Sequence, residues 1–95
     1  MVTRQKPAII AVLGAGSWGT ALGILLARHG NLVRLWGHTT EAVRQLREER
    51  ENRHYLPGIP FPPGLEPMAD LGSSIKDADE VLVVVPSHAF AEVLD

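Results

Sequence analysis

At Gly14 the hydrophobic pattern of the chain changes period, and this change constrains the fold more than any other feature. Residues 8–13, AIIAVL, form a continuous apolar run rich in β-branched side chains. A run that is apolar on both faces and ends in glycines suits a parallel strand covered on both sides. From Trp18 the apolar positions Trp18, Ala21, Leu22, Leu25 and Leu26 recur at i, i+3, i+4, i+7 and i+8, the stripe of an amphipathic helix. That spacing predicts a strand, a glycine turn and a helix that packs back on the strand through this stripe. Arg28 and His29 complement the C-terminal end of the helix dipole, and Gly30 is placed to follow the C-cap.

The same alternation continues along the chain. Residues 32–36, LVRLW, read as a second strand, and residues 37–40, GHTT, as a turn in which Thr39 or Thr40 caps a helix over residues 41–51. Arg44, Arg47, Glu48, Glu49, Arg50 and Glu51 predict a solvated outer face with i,i+3 and i,i+4 pairing, over an inner face of Ala42, Val43 and Leu46. Residues 55–67 hold five prolines in thirteen positions, which forbids helix and most central strand. This segment reads as an ordered or extended loop anchored by Leu56, Ile59 and Phe61. A short strand is expected near residues 66–69 and a helical turn around 73–76. Residues 81–85, VLVVV, form the next strong buried strand, stopped by Pro86, with Ser87 capping a last helix still running at Asp95. The order β-α-β-α-loop-β-α-β-α implies an α/β fold with a parallel sheet and right-handed crossovers.

Composition narrows the class of function. A chain of 95 residues with 45% apolar and 21% charged residues is an ordinary globular chain. The net charge of −2 and the lack of a basic stripe argue against nucleic acid as a partner. No apolar run approaches the roughly 20 residues that a membrane span requires. Two basic residues precede the first apolar run, but the glycines that interrupt it argue against a secretory leader. The absence of cysteine excludes disulfide and thiolate chemistry and fits a reducing, cytoplasmic setting. No spacing of histidines points to a metal, and no serine-nucleophile motif is present. His29 and His54 read as surface residues.

Gly14, Gly16 and Gly19 stand at GxGxxG spacing in the context that such a motif needs, directly after a buried strand and at the start of a helix. Gly14 permits the tight turn, Gly16 lets the main chain approach a pyrophosphate, and Gly19 allows close packing of the helix. The free amides at the helix start, with the dipole behind them, then bind an anion without a cationic side chain. No Gly-Lys-Ser/Thr comes after them, so a P-loop is excluded. Ser17 reads either as a donor to phosphate or as an ordinary loop residue. Trp18 lies on the apolar stripe, which assigns it to the core, and it also borders the cofactor cleft; the two roles are compatible.

An Asp or Glu at the end of the second strand would bind the ribose hydroxyls of NAD. This chain has Gly37, His38, Thr39 and Thr40 there, with no acid before Glu41. The missing carboxylate removes repulsion toward a 2′-phosphate, and His38, Thr39 and Thr40 can donate hydrogen bonds to it. NADP(H) is therefore favoured, with NAD(H) accepted. In a Rossmann-type sheet the first and fourth strands are neighbours where strand order reverses, and ligands bind at that point. Residues 81–85 are the natural fourth strand, which sets Pro86, Ser87, His88 and Phe90 across the cleft from the glycines. Pro86 and Phe90 are candidate cofactor contacts, Phe90 equally a core aromatic, and His88 reads as structural or solvated.

Four segments in order carry a more specific likeness: GAGSWGTAL at residues 14–22, LWGH at 35–38, NRHYLP at 52–57 and VVPS at 84–87. Together they closely resemble the N-terminal region of bacterial NAD(P)-dependent glycerol-3-phosphate dehydrogenases, over nearly the whole chain. The resemblance implies reduction of dihydroxyacetone phosphate to sn-glycerol 3-phosphate, the entry to phospholipid synthesis. It implies that Ser17, Trp18 and His38 contact the cofactor and that residues 52–58 line the cofactor side. It also implies that the catalytic lysine and the substrate-phosphate residues lie beyond this chain, since Lys6 and Lys76 match neither position. No catalytic or metal-binding residue is therefore expected among the 95. Residues 1–95 are read as the N-terminal part of an NAD(P)-binding Rossmann domain, incomplete at the C-terminus and with no second domain. The expected partners are the small-molecule substrate and, between copies, a second chain in a homodimer, with neither nucleic acid nor membrane. A free outer edge on residues 81–85 would leave the 95-residue chain poorly stable or self-associating. The other readings are a different Rossmann dehydrogenase, such as a ketopantoate reductase or a hydroxyacyl-CoA dehydrogenase, and a non-catalytic dinucleotide-binding module.

Overall fold

The sheet begins where the β-branched run predicts it, with strand β1 over Ile9–Leu13, whose Ala11 and Val12 are fully buried. The computed structural model describes residues 7–84. Helix α1 comes next at Ser17–Arg28, then β2 at Leu32–Trp36, α2 at Thr40–Glu49, β3 at Glu51–Asn52 and β4 at Leu56–Pro60. The described elements end with β5 at Leu65–Met68, α3 at Leu71–Ile75 and β6 at Glu80–Val83. Four strands form one parallel sheet in the order β5-β2-β1-β6. The chain builds outward from β1 to β2 and β5, then returns to the far side of β1 for β6. Strand order thus reverses between β1 and β6. The expected last helix and Val85 lie outside the described residues.

The two faces of the sheet are covered unequally. Val33 and Leu35 point to the side of α1 and α2 and join Ile10, Val12, Ile24, Leu46, Phe61 and Leu65 in the core. Full burial of side chains such as Leu35 and Leu65 contributes about 1.5–3 kcal/mol each. On the opposite face Arg34 donates to the carbonyls of Ser73 and Ser74, both at 3.2 Å, and also to that of Lys76, so it binds the end of α3. Trp36 Nε1 donates to the carbonyl of Ala69 at 3.0 Å on the same route.

Helix α1 forms as predicted, but it meets the sheet through a different set of residues. Gly19, Thr20, Gly23 and Ile24 are the buried residues, whereas Trp18 is 79% exposed and Leu25 53% exposed. Packing on the sheet selects small residues: a Cβ on Gly23 would lie 3.3 Å from Leu65 Cδ1 and 3.4 Å from Val33 Cγ1. The assignment of Trp18 to the core is therefore corrected. Of the larger stripe, Trp18 and Leu25 are turned outward, while Ala21 and Leu22 are half-buried and Leu26 packs against the core, because glycine and threonine let the helix approach more closely than leucine would. In α2 the charged face pairs as expected, with Arg44 bonded to Glu41 and to Glu48, the latter at 2.9 Å. Val43 and Leu46 are buried, but Ala42 is exposed. The helix stops at Glu49, two residues early, because Arg50 turns left-handed at φ 54°.

The proline-rich segment is more regular than its sequence suggests. Strand β4 pairs antiparallel with β3 in a separate two-stranded sheet with an irregular register. A two-stranded sheet leaves one side of each strand unpaired, so Pro57 and Pro60 are accommodated without a lost ladder bond. Arg50 pins the connection from β4 to β5 by donating to the carbonyls of Pro62 at 3.0 Å and Leu65 at 2.9 Å. Its guanidinium also lies 5.7 Å from the centre of the Phe61 ring.

Helix α3 carries a titratable cap. Asp70 accepts from the Ser73 hydroxyl and from the Ser73 amide, the latter at 2.7 Å, and the two bonds hold its carboxyl below the ordinary value of 3.8. Because the folded carboxyl is the stronger acid, the cap is complete above 3.8 and is lost as pH falls through the lowered value. The Ser73 amide resonance is expected to titrate with a midpoint below 3.8, and Asp70→Asn to abolish that titration. A midpoint at or above 3.8 would contradict the cap.

Candidate dinucleotide site at the glycine turn

The three glycines of the turn stand there for different reasons. Gly14 has φ +130°, and a Cβ on it would lie 2.0 Å from the carbonyl oxygen of Val84. Its amide bonds the Trp36 carbonyl at 2.9 Å, and the Val84 amide bonds the Leu13 carbonyl at 2.9 Å. Gly14 therefore sits where the ends of β1, β2 and β6 converge, at the reversal of strand order. Gly19 faces inward: its Cβ would lie 1.7 Å from the Gly14 carbonyl oxygen. Gly16 differs from both. Its φ is −83°, which any residue adopts, and a Cβ on it would meet nothing within 4 Å.

Gly16 is also the N-cap of α1, and it brings no side-chain cap to the helix. The first helical bond runs from the Thr20 amide to the Gly16 carbonyl at 3.0 Å. The amides of Ser17, Trp18 and Gly19 thus precede the helix's own ladder and point out of its N-terminus. The first turn carries no acidic residue, so nothing there repels an anion. Ser17 is exposed at this end, and Trp18 stands beside it as the most exposed of the large apolar side chains among the described residues.

At the end of β2, Gly37 is buried between the turn and α2. A Cβ on it would lie 3.1 Å from Val43 Cγ2 and 3.3 Å from Ala15 Cβ. His38 comes directly after it and is exposed. Beside this point a cleft of about 460 Å³ opens between the turn, α2 and the hairpin. Ala15 and Gly37 meet Val43 and Leu46 on one side, and Asn52, His54 and Tyr55 stand on the other. His54 and Tyr55 meet edge to face with ring centres 4.4 Å apart. Glu49 and Glu51 share Arg53, each at 3.7 Å from its Nε.

Asn52 has no role that its local sequence predicts. It is 4% exposed, and its Nδ2 donates to the Ala15 carbonyl at 3.0 Å and to Thr20 Oγ1 at 2.9 Å. Its Oδ1 accepts from the Tyr55 amide at 3.2 Å. The asparagine of NRHYLP is the only signal, and its partners are 32 and 37 residues away, beyond any local pattern. Gly14, Gly16, Ser17, Trp18, Gly19 and His38 thus fall at one end of the sheet, around one turn and one strand end. Pro86 and Phe90 lie outside the described residues. No cluster of metal-ligand side chains occurs among the described residues, and none of their helices is long and apolar enough to cross a membrane.

Comparison with known proteins bears on the family and the fold. The sequence model of the family described as NAD-dependent glycerol-3-phosphate dehydrogenase N-terminus matches residues 9–95. A glycerol-3-phosphate dehydrogenase [NAD(P)+] of Thioalkalivibrio sulfidiphilus is 58% identical over 85 residues, which are 90% of this chain and 26% of that protein. The crystal structure of a glycerol-3-phosphate dehydrogenase from Coxiella burnetii superposes with a TM-score of 0.82 at 48% identity, over 93% of this chain and 27% of that one. A glycerol-3-phosphate dehydrogenase structure from Plasmodium falciparum gives 0.74 at 33% identity, over 94% of this chain and 28% of that one. The chain spans about a quarter of the length of such relatives.

Proposed function

The chain belongs to the NAD-dependent glycerol-3-phosphate dehydrogenase N-terminal family, and from that premise we propose that it forms the pyrophosphate- and adenosine-binding part of an NAD(P) site. The observation that carries this reading is Gly16. Gly14 and Gly19 are required by packing, but neither backbone angle nor any neighbour requires a glycine at 16. Its bare side faces open space at a helix start with free amides and no acid, which is where a pyrophosphate would be received. The residues present therefore fit a dinucleotide.

In this reading the amides of Ser17, Trp18 and Gly19 hold the pyrophosphate, and Trp18 spreads its exposed ring beside it. His38 stands where the adenosine ribose would reach the end of β2, and NADP(H) is favoured over NAD(H) because no carboxylate occupies that place. When bound, the cofactor supplies the hydride that reduces dihydroxyacetone phosphate to sn-glycerol 3-phosphate. The chain's own residues bind and orient it. The proton donor is a lysine outside these 95 residues, so the chain alone is inactive, and residues 1–95 act as the N-terminal part of the Rossmann domain. The net charge of −2 and the absence of cysteine support a cytoplasmic enzyme that engages neither nucleic acid nor membrane. Assembly of the whole enzyme as a homodimer belongs to the same proposal.

Titration of the chain with NADPH and with NADH, followed by tryptophan fluorescence, tests the reading. His38→Asp is expected to move the ratio of the two affinities toward NADH by about ten-fold, the size of one 1.4 kcal/mol interaction. An unchanged ratio would remove His38 from the 2′-phosphate argument.

A further inference from the structure

The three hydrogen bonds of Asn52 join three separate parts of the molecule through one side chain. Ala15 lies inside the glycine turn, Thr20 lies in the first turns of α1, and Tyr55 lies in the hairpin loop that walls the cleft. Thr20 is fully buried on the sheet-facing side of the helix and bonds the Gly16 carbonyl through its amide. The Asn52 amide therefore holds the turn from both sides of Gly16. It does so from β3, an element that brings no group of its own to the phosphate end.

The side chain is chemically specific. Both Nδ2 hydrogens are used, and Oδ1 accepts the Tyr55 amide. An aspartate in its place would set a carboxylate oxygen against the Ala15 carbonyl, a repulsive pair in a buried site. An alanine would leave the Ala15 carbonyl and the Thr20 hydroxyl without this donor.

We propose that Asn52 is a positioning residue for the dinucleotide site: it fixes the glycine turn against the start of α1 and sets the cleft wall bearing Tyr55 in register with that turn. The proposal rests on the dinucleotide reading for its functional consequence, while the mechanical part stands on the three bonds alone. Two measurements separate these parts.

The first is hydrogen exchange on the wild-type chain and Asn52→Ala. The amides of residues 15–20 are expected to exchange about ten-fold faster in the variant, while those of Val33 and Leu35 in the sheet stay protected. Unchanged exchange at residues 15–20 would overturn the proposal. The second is NADPH titration of the folded proteins well below their melting temperatures. Asn52→Ala is expected to weaken NADPH binding about ten-fold, and Thr20→Val, which removes one of the two Nδ2 partners, about three-fold. Ile59→Ala, in the same hairpin but touching none of the three bonds, is expected to lower the melting temperature and leave NADPH affinity unchanged. An equal loss in Ile59→Ala would make the effect one of general loosening and overturn the proposal. So would wild-type affinity in a folded Asn52→Ala. Should Asn52→Ala fail to fold, Thr20→Val decides alone: wild-type exchange and affinity in that variant overturn the proposal. A wild-type chain that binds neither NADPH nor NADH, yet shows the exchange difference, would overturn the dinucleotide reading and leave the mechanical role of Asn52 standing.

Discussion

Gly19→Ala is expected to cost about 3 kcal/mol or more of stability, among the largest effects of any single methyl group in this chain. The added carbon would lie 1.7 Å from the Gly14 carbonyl oxygen and 2.9 Å from the carbonyl carbon. Both atoms are backbone, so no side chain can rotate away. Either α1 lifts from the end of β1, exposing Ile24 and the Leu65 and Val33 surface beneath Gly23, or the turn itself shifts and disturbs its contact with Val84. For a domain of this size a loss of about 3 kcal/mol corresponds to a fall in melting temperature of about 12–24 °C, readable by circular dichroism. Melting within about 3 °C of wild type would contradict the packing described at this position.

Gly16→Ala is expected to do the reverse. The site is open, φ is ordinary, and the residue makes no side-chain cap. Alanine is poorer than glycine at an N-cap but restricts the unfolded chain by a similar amount, so the net change in stability is under about 1 kcal/mol. The methyl group would, however, occupy the space into which a pyrophosphate must come to meet the amides of Ser17, Trp18 and Gly19. Loss of one or two hydrogen bonds to the charged pyrophosphate, at about 1.5–3 kcal/mol each, weakens binding on the order of 100-fold. Two glycines three residues apart are thus predicted to fail in opposite ways, one in folding and one in binding.

The part of this that is legible in the sequence depends on the range over which each signal acts. The β1 run, the switch of period at Gly14, the capping Gly30 and the charged face of α2 are local, and each element appears within two residues of its predicted bounds. The neighbour relation of the first and last described strands of the sheet also stems from the alternation of strands and helices. The sheet-facing side of α1 departs from expectation because counting large apolar residues favours Trp18 and Leu25, whereas close packing on the glycine turn, β2 and β5 favours Gly19, Thr20 and Gly23. Trp18 is consequently left exposed beside the helix start. Strand β4 is hidden because prolines exclude a central strand, and a two-stranded hairpin has no centre. Asn52 is equally hidden because its bonds to Ala15 and Thr20 exist only once the hairpin folds back on the turn.

The proposed function requires the turn over residues 14–19 to receive a dinucleotide pyrophosphate. Calorimetric titration of wild type and Gly16→Ala with NADPH, beside their thermal melts, tests it most directly. The prediction is measurable binding by the wild type and an affinity about 100-fold lower in Gly16→Ala at a nearly unchanged melting temperature. Equal NADPH affinity in the two proteins would contradict it.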